Sequence, residues 1–202
     1  MKFNILKTEV TVSYLIICIA ALSIIAGIFD RFLWCVFAVI IHETGHIAAM
    51  CCLKTPPQKI KISLFEISIS DKKRNERSVK NNFLIIFFGP FVNFICFIIF
   101  YLLYLVYGSV FILPATANLS VGLFNILPVL TLDGGQLLFL ILSRFYSVKL
   151  SEKIVNAVTV AIIFPLAVTG FIILFKSKYN FSLLLVCIYL IFCLVCKDSR
   201  CY

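Results

Sequence analysis

Apolar positions in this chain come in long unbroken runs, and the polar positions gather in the short gaps between them. Val10–Phe29 carries no charged side chain, and Phe32–Leu53 is apolar apart from a polar insertion at its middle. Asn81–Leu132 then continues for 52 residues without one Lys, Arg, Asp, Glu or His, room for two spans joined near Tyr107–Pro114. Ile154–Phe175 and Tyr179–Cys196 are two further runs. Each approaches the ~20 residues that a helix needs to cross about 30 Å of hydrocarbon. The pattern predicts an all-α polytopic membrane protein with six transmembrane helices, organised as a single membrane-embedded domain over residues 1–202.

The one sizeable gap, residues 54–82, has a different period and is expected to be a cytosolic loop. Pro56-Pro57 stops the preceding helix. Lys59–Leu64 alternates with period two, and Glu66–Ser70 alternates again after a phase slip at Leu64–Phe65. That predicts a short β-hairpin or bulged strand between the second and third spans. Asp71–Arg77 reads as a solvated turn.

Composition narrows the class further. The chain is 62% hydrophobic, 15% aromatic and 13% charged, with a mean hydropathy of +1.10. Soluble domains run near half apolar and a quarter charged, so a soluble fold is excluded, as are disorder, collagen and a disulfide-stapled miniprotein. The net charge of +9 sits mostly between apolar runs, with no free-standing basic helix or aromatic-interleaved patch. It therefore orients the chain in a lipid bilayer rather than binding nucleic acid. With six spans, 15 of the 18 Lys and Arg fall on the side of the two termini, leaving Arg31, Lys176 and Lys178 opposite. Both termini and the two longer loops are expected in the cytosol of a multi-pass cell-membrane protein. The first run is long for a signal-peptide core, has Glu9 ahead of it and lacks a clean cleavage site, so it reads as retained. The nine cysteines are scattered, and the C-x-x-C at Cys193 and Cys196 has no second pair, so they read as small packing residues.

Ionisable groups inside a span are costly, and each one needs an account. The second span contains His42-Glu43-Thr44-Gly45-His46, the H-E-x-x-H pattern, and these are the only two histidines of the chain. Positions 42 and 46 project from one helical face and can grip one metal ion, while Glu43 lies beside them within reach of a water. Catalytic zinc takes three protein ligands and keeps one position open. With no third histidine, the missing ligand must be Asp, Glu or Cys. Of the nine acidic residues, most lie in tails or aqueous loops and Asp30 sits at a membrane boundary beside Arg31. Asp133 remains. It closes the uncharged stretch and precedes Gly134-Gly135, which would let the helix break and the carboxylate turn inward.

These residues carry a resemblance. His42-Glu43-x-x-His46, with Asn125-Ile-Leu-Pro128 and Leu132-Asp133-Gly134-Gly135 downstream, resembles the site-2 protease family of intramembrane metalloproteases. Gly89-Pro90-Phe-Val-Asn93 resembles a recurring segment of its third span. The layout, with no inserted PDZ domain, is similar to the stage IV sporulation protein FB branch, here without the C-terminal CBS domain that this branch often carries. The resemblance implies one Zn2+ held by His42, His46 and Asp133, Glu43 as the catalytic glutamate, and Asn125 as a substrate-positioning residue. It implies a membrane-protein substrate, such as a tethered transcription factor released during sporulation, with a regulatory membrane partner left open. Three further expectations accompany it: peptide-bond hydrolysis in which Glu43 moves the proton, strand addition by the substrate near Ile60–Ile69, and a gate where Pro165 and Gly170 could bend a late span. The competing readings are a metal-binding transporter, disfavoured because no in-membrane acid or histidine marks a path between Asn81 and Leu132, and an inactive scaffold relative.

Overall fold

The computed structural model describes residues 2–5, 8–12, 14–55, 59–62, 67–70, 77–177, 186–188 and 190–191. They divide into two compact units, Met1–Phe124 and Asn125–Tyr202.

The first unit begins with two strands, β1 (Lys2–Ile5) and β2 (Thr8–Val12), followed by helices α1 (Tyr14–Ile25) and α2 (Phe29–Cys52). Strands β3 (Lys59–Ile62) and β4 (Ile67–Ser70) come next, then α3 (Val79–Tyr107), a 3-10 turn at Ser109–Phe111, and α4 (Ile112–Ile126), whose last residues enter the second unit. The strands form one sheet in the order β1-β2-β3-β4. β1 pairs antiparallel with β2, with Phe3 opposite Val10; β2 runs parallel to β3, with Val10 opposite Ile60; and β3 pairs antiparallel with β4, with Ile60 opposite Ile69.

Helix α3 starts where the Ser78 side chain accepts the Asn81 backbone N–H at 3.3 Å, an N-cap. It ends at Gly108, whose φ of +91° is open to glycine and strained for other residues. Its buried residues Ile85, Ile86, Gly89, Pro90 and Asn93 share one face, while Phe87, Phe91, Ile98 and Leu102 point outward as a lipid-facing surface does. That inward face packs on α2, where Ala49, Met50 and Ile85 form a buried cluster.

The second unit holds α5 (Asp133–Leu142) and α6 (Val148–Ser177). Leu130, Phe139 and Val155 form its core, with Leu138 and Leu142 packed against them. Thr159 Oγ1 accepts the Leu130 backbone N–H at 2.9 Å and donates to the Val155 carbonyl at 2.8 Å. These bonds pin the turn before α5 onto α6, which runs through Pro165 and Gly170.

The all-α, six-span expectation is corrected in two respects. Among the described residues four helical stretches are long and apolar enough to cross a membrane: Phe29–Cys52, Val79–Tyr107, Ser109–Ile126 and Val148–Lys176. The first apolar run yields only the 12-residue α1, because its leading residues are drawn into β2. The second correction concerns the sheet. β3 and β4 are not an isolated hairpin; they are half of a mixed four-stranded sheet that recruits residues near the N-terminus. Thr8-Glu9-Val10-Thr11-Val12 alternates polar and apolar with β-branched residues, a strand signal hidden at the edge of a hydrophobic run. The sixth run is largely outside the described residues, and so are Pro56-Pro57, the slip at Leu64–Phe65, residues 71–76 and the Cys193–Cys196 pair.

Candidate metal centre

In the first unit, His42 and His46 stand one turn apart on α2 and both are buried. Each ring is tied down through Nδ1. His46 Nδ1 lies 2.8 Å from the Ile85 backbone carbonyl of α3, an acceptor only, so this nitrogen carries the proton. His42 Nδ1 lies 2.9 Å from Asn93 Oδ1, also on α3. The neighbours of Asn93 settle which end of its amide faces the ring. Its Nδ2 donates to the Ala38 carbonyl at 3.0 Å and to Asn118 Oδ1 at 3.0 Å, and Asn118 Nδ2 in turn donates to the Pro114 carbonyl at 2.9 Å. Both Asn93 hydrogens are thereby used, its oxygen faces His42, and His42 Nδ1 is also the protonated nitrogen.

Both Nε2 atoms therefore carry lone pairs, and they face one another at 3.1 Å. Two such nitrogens repel at that range, and a cation between them turns the repulsion into two bonds. A tetrahedral ion with Zn–N bonds of 2.0–2.1 Å would space its ligand nitrogens about 3.3–3.4 Å apart, close to what is found. The histidine pair fits a metal ion.

Two glycines make this geometry possible. A Cβ on Gly89 of α3 would run into the His46 ring and come within 2.9 Å of His42 Cε1; one on Gly45 of α2 would meet the Phe88 backbone oxygen at 2.6 Å. Each helix thus carries a glycine where the other approaches. Glu43, half-buried, follows His42 on α2.

In the second unit, Asp133 is the first residue of α5 and is half-buried. The break expected from sequence lies just before Gly134 and Gly135, between the end of α4 at Ile126 and the start of α5 at Asp133, and the two glycines themselves have helical backbone. Their role is close approach: a Cβ on either would run into the carbonyl oxygens of Ile126 and Leu127 or of Val129. The turn from Leu127 to Leu132 can fold over the start of α5 only with glycine there. Asn125, half-buried near the end of α4, precedes that turn.

Sequence reasoning gives no role to Asn93 and passes over Asn118. Both are fully buried, and the expense of a polar group in a span applies to amides as it does to histidines.

Residues 107–168 match peptidase family M50. Over 129 residues the chain is 30% identical to stage IV sporulation protein FB of Bacillus subtilis, covering 62% of this chain and 45% of that protein. The chain spans under half the length of this curated relative. Its fold is similar to that of the site-2 protease from Methanocaldococcus jannaschii, with a TM-score of 0.73 and 23% identity over 100% of this chain and 96% of that one.

Proposed function

We propose that this chain is a member of peptidase family M50 and an intramembrane zinc metalloendopeptidase that cleaves a membrane-bound protein within or near its transmembrane segment. The observation that carries the reading is the pair of buried imidazoles whose lone-pair nitrogens face each other at 3.1 Å. His42, His46 and Asp133 are the proposed ligands of one Zn2+; two neutral nitrogens and a carboxylate make up a donor set able to hold a metal ion. Zinc, when bound, supplies Lewis acidity for the scissile carbonyl. Glu43 takes the proton of the attacking water and returns it to the leaving amine. Asn125, near the end of α4, orients the substrate carbonyl. The substrate helix has its carbonyls tied in i to i−4 bonds and must unwind before cleavage. β4, an edge strand of the sheet, offers backbone groups on which an unwound segment adds as a further strand.

The loop from Lys54 to Lys80 and the segment with Arg144, Lys149 and Lys153 together hold 11 of the 18 Lys and Arg, which supports a cytosolic location for both. The likeness to a sporulation protein supports release of a membrane-tethered regulator as the output. The deciding experiment compares Glu43→Gln with the unaltered protein. Zinc content should be equal, and cleavage of a membrane-protein substrate should fall by roughly 10²–10⁴-fold. Equal cleavage by both would falsify the proposal. For the strand, Ile67→Pro should slow cleavage while protein level and zinc content hold; an unchanged rate rejects that part.

A further inference from the structure

The histidines account for only part of the buried polar groups in the first unit. A second set runs away from them across three helices: His42 on α2, Asn93 on α3, and Asn118 with the Pro114 carbonyl on α4. Every link points one way. The His42 Nδ1–H donates to Asn93 Oδ1 at 2.9 Å, Asn93 Nδ2 to Asn118 Oδ1 at 3.0 Å, and Asn118 Nδ2 to Pro114 O at 2.9 Å. A side branch from Asn93 Nδ2 reaches the Ala38 carbonyl at 3.0 Å, one turn before His42 on the same face of α2. Asn93 and Asn118 are 0% exposed and His42 is 4% exposed, so no solvent competes for these bonds. Gly122, one turn after Asn118 on α4, permits this close approach: a Cβ there would come within 3.2 Å of Asn93 Cβ.

An amide alone can present either its oxygen or its nitrogen to a neighbouring imidazole. If Asn93 turned over, its NH2 would face His42 Nδ1, the ring proton would move to Nε2, and the metal-facing lone pair would be lost. Asn118 and the Ala38 carbonyl together prevent this: the carbonyl can only accept, and the Asn118 oxygen demands a donor from Asn93 while its nitrogen is committed to Pro114. His46 needs no such device, since a backbone carbonyl has only an acceptor to offer.

We propose that Asn93 and Asn118 form an amide relay that sets the tautomer and ring plane of His42. Asn93 acts on His42 directly, and Asn118 acts through the orientation of Asn93. Both are positioning residues. The proposal extends the metal-site reading and rests on it for its affinity arm alone. Partners of this kind are worth roughly 10–100-fold in metal affinity.

Because the chain has only two histidines, nitrogen-15 labelling of histidine reports four ring nitrogens in the purified, detergent-solubilised protein. In the metal-free protein both rings should show Nδ1–H. Asn93→Leu and Asn118→Leu should each move the His42 signals toward Nε2–H while those of His46 stay in place. Zinc affinity, measured by chelator competition, should fall about 10–100-fold in Asn93→Leu and by less in Asn118→Leu. The double variant should be no weaker than Asn93→Leu, because the second residue works through the first. An Nε2–H tautomer at His42 in the unaltered protein overturns the relay without any variant having to fold. Unchanged His42 signals in both variants overturn it too, as does additive loss in the double variant. Unaltered protein that takes up no zinc overturns the metal reading instead, and the metal-free spectra still decide the relay.

Discussion

At the scale of single residues, the metal-facing geometry depends on what is absent as much as on what is present. Gly89 leaves the space that the two imidazole rings occupy. Gly89→Ala should displace the His46 ring and weaken zinc binding by tenfold or more, seen as a lower chelator concentration needed to strip the metal; binding equal to wild type would show that the rings yield freely. The H-E-x-x-H spacing was legible from sequence because two histidines and a carboxylate are too costly in an apolar run unless something there partners all three. Asn93 and Asn118 were not legible. An uncharged amide in a span also serves as ordinary interhelical glue, and nothing in the local pattern says that one faces an imidazole and the other faces the first. Gly134-Gly135 predicts a helix break, and the fold places it just before the pair, in the turn from Leu127 to Leu132: the backbone at the glycines is helical, and they admit the carbonyls of that turn.

At the scale of elements, α2 and α3 meet at a pair of glycines, and the histidine contacts follow from that closeness. Gly45→Ala sets a methyl group against the Phe88 backbone oxygen, which cannot move without α3. The expected cost is about 1–3 kcal/mol, as for other overpacked sites, measured by unfolding of the detergent-solubilised protein with and without zinc. Gly135→Ala should act in the second unit alone, by pushing the Val129 carbonyl off the start of α5. Its signature is a loss of zinc affinity with the two histidine tautomers unaltered. The runs that became α2, α3, α4 and α6 were readable because twenty or so apolar residues leave few options in lipid. The N-terminal strands were not, since five alternating residues adjoining an apolar run read equally well as the start of a span. Their partner, β3, lies some fifty residues away, beyond the reach of local periodicity.

At the scale of the whole molecule, the proposed orientation can be checked chemically. Cys51 and Cys52 are exposed at the end of α2, next to the basic loop. In a chain whose other cysteines are replaced by serine, a membrane-impermeant maleimide should label them in inverted vesicles and spare them in intact cells; the reverse pattern rejects the cytosolic assignment of that loop. The sheet also constrains how the chain meets the bilayer. Parallel neighbours need a crossover, and the crossover from β2 to β3 contains both α1 and α2. If α2 traverses the lipid once, the stretch before it must return the chain to the same face, with the strands near the N-terminus beside the loop. α1 rises roughly 18 Å against about 30 Å of hydrocarbon. Lipid meets such a shortfall by thinning, so the leaflets would draw together alongside the histidine-bearing helix, and the distance that water and an unwinding substrate must travel would shorten there.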